Sequence, residues 1–152
     1  MQSAQLELSD AVRSLLKSRG IESEDDIRAF LAPQYEAHTH SPQLIADIDH
    51  ATARVLDAIE NNERIAVYAD FDCDGIPGAS VLSDFFAKIG YENVRVYIPH
   101  RDREGYGFHT EAISALAAEG VKLIITVDVG TNAFDAVAHA GGAESLGIKA
   151  CI

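Results

Sequence analysis

Apolar positions change their period near residue 62, and the change divides the chain into two kinds of element. Before it the spacing is helical. Ser9 stands before a helix running to about Lys17, with Val12, Leu15 and Leu16 on one side, and Gly20 ends it. Ser23 followed by Glu24, Asp25 and Asp26 starts a second, because acidic residues in a first turn complement the helix dipole. Ile27, Phe30 and Leu31 supply its apolar side and Pro33 follows the stop. Residues 34–46 have few periodic apolar positions and read as loop. A third helix fits Asp49 to Asn61, with Ala51, Val55, Leu56 and Ile59 inward.

After residue 62 short apolar runs alternate with helical stretches. Arg64–Ala69, Asn93–Ile98, Lys122–Val127 and Ile148–Ile152 read as strands. Between them lie helices over Pro77–Ile89, from Thr110 as cap to Glu119, and from Asn132 as cap to about Ala140. Strands separated by helices of this length predict an α/β fold with a parallel sheet and flanking helices. The domain organisation expected is an N-terminal helical segment, 1–62, followed by an α/β domain, 63–152. In such sheets ligands bind beyond the carboxyl ends of the strands. Three charged or glycine-rich loops fall there: Asp70–Gly78, Pro99–Gly107 and Asp128–Asn132.

Composition narrows the class. With 47% hydrophobic and 24% charged residues the chain is typical of globular domains. It carries no apolar run near 18 residues and no charged-then-apolar leader, so neither a membrane span nor a secretory signal is expected. Two cysteines without C-x-x-C spacing fit a reducing cytoplasm. The net charge of -12 excludes a simple electrostatic nucleic-acid binder. Only residues 95–109 run the other way, with Arg95, His100, Arg101, Arg103 and His109 against Asp102 and Glu104. A cationic loop on an acidic body can hold a phosphate or can be ordinary solvated surface.

The candidate chemistry lies in Asp70-Phe71-Asp72-Cys73-Asp74-Gly75. Two like charges at ~4 Å cost roughly 1 kcal/mol in water-like dielectric and several times that at a partly buried site. Three aspartates two apart at a strand tip therefore point to a hard divalent ion, magnesium or manganese, with an acidic turn as the plain alternative.

Three segments together resemble the first motifs of the DHH phosphoesterase family: Asp70-x-Asp72-x-Asp74-Gly75, then Ile98-Pro99-His100-Arg101-x-x-Glu104-Gly105-Tyr106-Gly107, then Thr126-Val127-Asp128-Val129-Gly130. The leading helices, with Ser18-Arg19-Gly20-Ile21 and Phe30-Leu31-Ala32-Pro33, are similar to the layout of the single-strand-specific 5′→3′ DNA exonucleases in that family. The resemblance implies phosphodiester hydrolysis at a two-metal site using Mn2+ or Mg2+, with single-stranded DNA as partner and a role in repair and recombination. It implies Asp72, Asp74 and Asp128 as catalytic metal ligands, and Asp70 as a fourth ligand or an acceptor behind them. It places Arg101, Glu104, Gly105, Tyr106 and Gly107 at the substrate. Arg101 either forks onto phosphate or pairs with Glu104, and Tyr106 either stacks on a base or packs the loop. His100 and His109 read as loop and helix-start residues.

The chain also departs from the family pattern. Cys73 and Pro77 stand where the family more often has a small or β-branched apolar residue and threonine. Gly141-Gly142-Ala143-Glu144-Ser145 interrupts a helix. No adjacent His-His pair occurs, so the name-giving Asp-His-His is absent. The expectation is an incomplete DHH domain, the N-terminal part of a longer enzyme or one half completed by a partner chain, with partial metal loading and little activity alone. Two other readings keep the fold: a phosphodiesterase of short oligonucleotides or cyclic dinucleotides, and a non-catalytic binding or scaffold module. A haloacid-dehalogenase type ranks low, because it expects Thr or Val where Asp74 stands.

Overall fold

The computed structural model describes residues 7–142 and 150–151. It divides into two compact units, residues 1–46 and 47–152.

In the first unit, helix α1 spans Asp10–Lys17 and α2 spans Glu24–Leu31. Each begins where a serine satisfies an orphan amide of the first turn. The Ser9 hydroxyl accepts from Val12 N at 3.4 Å, and that of Ser23 from Asp26 N at 3.0 Å. Leu16 and Ile27 are the buried residues of the two helices, and Arg13 pairs with Glu24 at 2.8 Å across their surfaces. The segment expected to be loop contains a short helix α3, Tyr35–His38, and a 3-10 turn at Pro42–Leu44. Both are too short to leave an apolar period in sequence.

The second unit opens with α4, Ile48–Glu60, followed by β1, Arg64–Ala69; α5, Gly75–Lys88; β2, Val94–Tyr97; α6, Thr110–Ala118; β3, Val121–Val127; α7, Phe134–Gly142; and β4, Ala150–Cys151. The strands form one parallel sheet in the order β2-β1-β3-β4. Central β1 is buried from Ile65 to Ala69. That explains its unbroken apolar run, since a strand covered on both faces needs no polar alternation. Ala58, Ile65, Val67, Ala79, Phe86 and Leu123 form the core on one face. Tyr68, Phe108, Ile113, Leu116, Ile124 and Ala140 are among those forming the other.

Two helix starts differ from expectation. α5 begins at Gly75, two residues before Pro77, because the Asp72 carboxylate accepts from the amides of Asp74 and Gly75 at 2.9 and 3.1 Å. Pro77 is then a first-turn residue, where a missing N–H costs nothing. At α6 the cap position is His109 with no side-chain bond, and Thr110 is already helical. α7 runs through Gly142; Ala143, Glu144, Ser145 and most of the expected fourth strand lie outside the described residues.

Strand order decides where a site can form. The chain leaves β1 for β2 on one side and returns to β3 on the other. The crevice between the carboxyl ends of β1 and β3 is the topological switch point, and the loops after both strands open into it.

Candidate metal centre

The loop after β1 is built around a close approach. A Cβ on Gly75 would stand 2.7 and 2.8 Å from the carbonyl carbon and amide nitrogen of Asp70, and closer still to its oxygen. One turn on, a Cβ on Gly78 would lie 2.5 Å from Cγ1 of Val127 at the end of β3. Glycine at these two positions lets the start of α5 lie directly on the strand tips. Asp70 is fixed there by its amide, which donates to Val127 O at 3.3 Å, and is only 1% exposed.

Carboxylate oxygens of Asp70, Asp72 and Asp128 all lie within 4.8 Å of one another. Asp70 Oδ1 is buried and has no hydrogen-bond partner. Buried polar atoms are almost always satisfied, because leaving one bare forfeits its hydration. Asp128 adopts φ of +58°, a left-handed conformation that Asp and Asn tolerate best among residues with a side chain. Asp74 sits at the cap position of α5, makes no side-chain cap bond, and does not join the three-carboxylate group.

The cluster divides its protons unevenly. Desolvation, then the charges of Asp72, Asp74 and Asp70, raise the Asp128 pKa above the ordinary carboxylate range. Asp72 is lowered, first by the amide of Gly75, then by that of Asp74, with smaller help from Asp128 and Arg101. The α5 amides thus favour the ionised form of Asp72, while burial and the neighbouring charges disfavour that of Asp128. An orphaned buried oxygen among three converging carboxylates fits a hard, oxygen-seeking divalent cation.

The loop after β2 lies across this crevice. Arg101 does not pair with Glu104: its guanidinium carbon sits 4.2 Å from the centre of the Phe71 ring, between the first two aspartates in sequence. Glu104 accepts from the His100 amide at 2.7 Å and from the Tyr97 hydroxyl, and these two bonds lower its pKa. Gly105 and Gly107 have φ of +76° and +130°. Tyr106 is 66% exposed, and its hydroxyl lies 3.5 Å from Asp128 O. Tyr106, Gly107, Thr126, Asp128, Thr131 and Asn132 line part of a cleft of about 470 Å3 beside the cluster.

The chain is similar to known proteins. The family model "DHH family, N-terminal domain" matches residues 64–152. The chain belongs to the DHH family. The single-stranded-DNA-specific exonuclease RecJ of Bacillus subtilis is 35% identical over 148 residues, 97% of this chain and 18% of that protein. RecJ of Salmonella typhimurium is 30% identical over 146 residues, 96% of this chain and 24% of that protein. A crystal structure of exonuclease RecJ bound to manganese superposes with a TM-score of 0.56 at 33% identity, covering 66% of this chain and 25% of that one. The chain therefore spans only 18–24% of the length of these curated relatives.

Within this DHH domain the sequence reading missed two tyrosines. Tyr68 and Tyr97 face each other in register on β1 and β2, stacked at 5.1 Å. The Tyr68 hydroxyl donates to Gly107 O at 3.0 Å. Burial pushes the Tyr68 pKa up to about 12, so it remains a donor. Each stands two residues before its loop, at Asp70 and at Pro99, and that shared offset was the available signal. No helix among the described residues is long and apolar enough to cross a membrane.

Proposed function

We propose that this chain carries the metal-binding carboxylates of a single-strand-specific DNA exonuclease that hydrolyses phosphodiester bonds in the 5′→3′ direction. The observation that carries the reading is the orphaned, buried Oδ1 of Asp70, a residue whose carboxylate groups with those of Asp72 and Asp128 at the β1/β3 crevice. The relatives named for single-stranded DNA, and the structural neighbour described as bound to manganese, support substrate and ion. Asp70, Asp72 and Asp128 would hold Mn2+ or Mg2+, with Asp74 at the start of α5 outside the group they form.

The chemistry such an ion supplies is neutralisation of charge on a phosphodiester and activation of a water nucleophile. The protein's own groups do the rest. Asp72 is kept ionised by the α5 amides, and Asp70 is held rigid by the sheet. Arg101 would take a phosphate oxygen with its planar fork. Tyr106 would offer a face to a base, and Gly105 and Gly107 would let the backbone pass close to the strand.

The clustered donors among the described residues are three carboxylates, fewer than two hard ions require. We therefore expect one ion to bind tightly and turnover by this chain alone to be low. Calorimetry with Mn2+, paired with digestion of 5′-labelled single-stranded DNA, tests this against Asp70→Asn and Asp72→Asn. One Mn2+ site lost in both variants is the expected result. A wild-type chain that binds no Mn2+ would overturn the reading.

A further inference from the structure

Arg101 lies inside a closed turn. Glu104 N donates to His100 O at 2.9 Å, and His100 N donates back to Glu104 Oε2 at 2.7 Å. The other Glu104 oxygen accepts from the Tyr97 hydroxyl at the end of β2. Both carboxylate oxygens of Glu104, a residue the family resemblance sets at the substrate, are thus bonded within the protein. Outside the ring of bonds, the Arg101 guanidinium rests on Phe71. A single exposed cation–π contact is weak against the rotamer freedom of an arginine. Something must fix the backbone from which the side chain starts.

We propose that Tyr97 is a positioning residue for Arg101, acting through Glu104. The inference rests on Arg101 as the phosphate contact. Tyr97 is itself fixed, stacked on Tyr68, whose ring is fully buried and packs edge-on against Phe108 at 4.9 Å. The path from core to guanidinium is therefore Tyr68 ring, Tyr97 ring, Tyr97 hydroxyl, Glu104 carboxylate, and the His100–Glu104 turn. Tyr68 ends a separate path, because its hydroxyl holds Gly107 beyond the turn. Without the Tyr97 hydroxyl the turn opens on one side and Arg101 leaves the Phe71 ring. Its guanidinium is then no longer held in place for a phosphate oxygen.

The two tyrosines give a matched pair of variants. Each Tyr→Phe change removes one hydroxyl from the same stack and leaves both rings in place. The readout is the Arg101 Nε–Hε resonance in the metal-free chain, which a ring face at this distance shifts upfield. Tyr97→Phe should collapse that shift, and Tyr68→Phe should leave it. A shift unchanged in Tyr97→Phe, or lost equally in both, would overturn the proposal. Binding of a dT oligonucleotide in Mn2+ then reads Arg101's role separately. Tyr97→Phe and Arg101→Gln should each weaken it about tenfold, and together no more than either alone. If the wild-type chain binds no oligonucleotide, the assignment of Arg101 to phosphate fails while the resonance still decides the role of Tyr97.

Discussion

Replacing Gly75 with alanine tests whether the metal loop depends on the helix lying directly on the strand. The new Cβ would meet backbone atoms of Asp70 at 2.7 and 2.8 Å. Carbon contacts prefer ~3.5–4 Å, so the start of α5 must withdraw by roughly 1 Å. Overpacking costs about 1–3 kcal/mol, and a backbone obstacle that cannot rotate away puts this site at the upper end. Alanine regains up to ~1 kcal/mol of helix propensity. The net expectation is about 2 kcal/mol of destabilisation, a fall in Tm of about 4–8 °C for a chain of this length. The site should suffer more than the fold, because Gly75 N donates to Asp72 Oδ1 and is the main cause of that carboxylate's low pKa. Thermal melts in EDTA and in Mn2+ would show a lower Tm and little Mn2+-induced rise. Gly78→Ala is the contrast: its obstacle is one methyl of Val127, so Val127→Ala should partly rescue it. A Gly75→Ala protein that melts within about 2 °C of wild type and responds fully to Mn2+ would refute the reasoning.

Three further outcomes follow from charges. Asp128 has a raised folded pKa, so its ionisation destabilises the metal-free fold at neutral pH, and the penalty disappears below its unfolded value near ~3.9. Asp128→Asn should therefore raise the metal-free Tm at pH 7, converge with wild type below about pH 4, and abolish the response to Mn2+; asparagine tolerates the positive φ, so no backbone cost masks the effect. Glu104 has a lowered pKa, so its contribution is present above its unfolded value and lost as pH falls through the folded one; carboxyl-carbon NMR titration should give a midpoint below ordinary glutamate, and Tyr97→Phe should move it up. Arg54 pairs with Glu63, whose side chain is 6% exposed, at 2.6 Å, whereas Arg13 and Glu24 are 40% and 51% exposed. Chemical denaturation should show Arg54→Ala costing about 3 kcal/mol and Arg13→Ala under ~1 kcal/mol.

The sheet was legible because β1, buried from Ile65 to Ala69, reads as an unbroken apolar run, and β2 and β3 as short apolar runs between helices of regular period. The carboxylates were legible because Asp70 and Asp72 share one strand end and Asp128 closes the run Ile124-Ile125-Thr126-Val127 on the neighbouring strand. What sequence could not show is how each carboxylate is used. Alternation treats Asp70, Asp72 and Asp74 as equals. In the fold, Asp70 is buried with an oxygen unsatisfied, Asp72 spends one oxygen starting α5, and Asp74 stands at the helix cap outside the cluster. The same blindness applied to the β2 loop, where Arg101 and Glu104, three residues apart, look like an ion pair. Parallel pairing sets Tyr97 opposite Tyr68 across 29 residues, the Tyr97 hydroxyl donates to Glu104, and Arg101 rests on Phe71. Local spacing identifies which residues reach the crevice. Whether a side chain there is a ligand, a cap or a brace depends on which backbone amides and hydroxyls the sheet register brings to it.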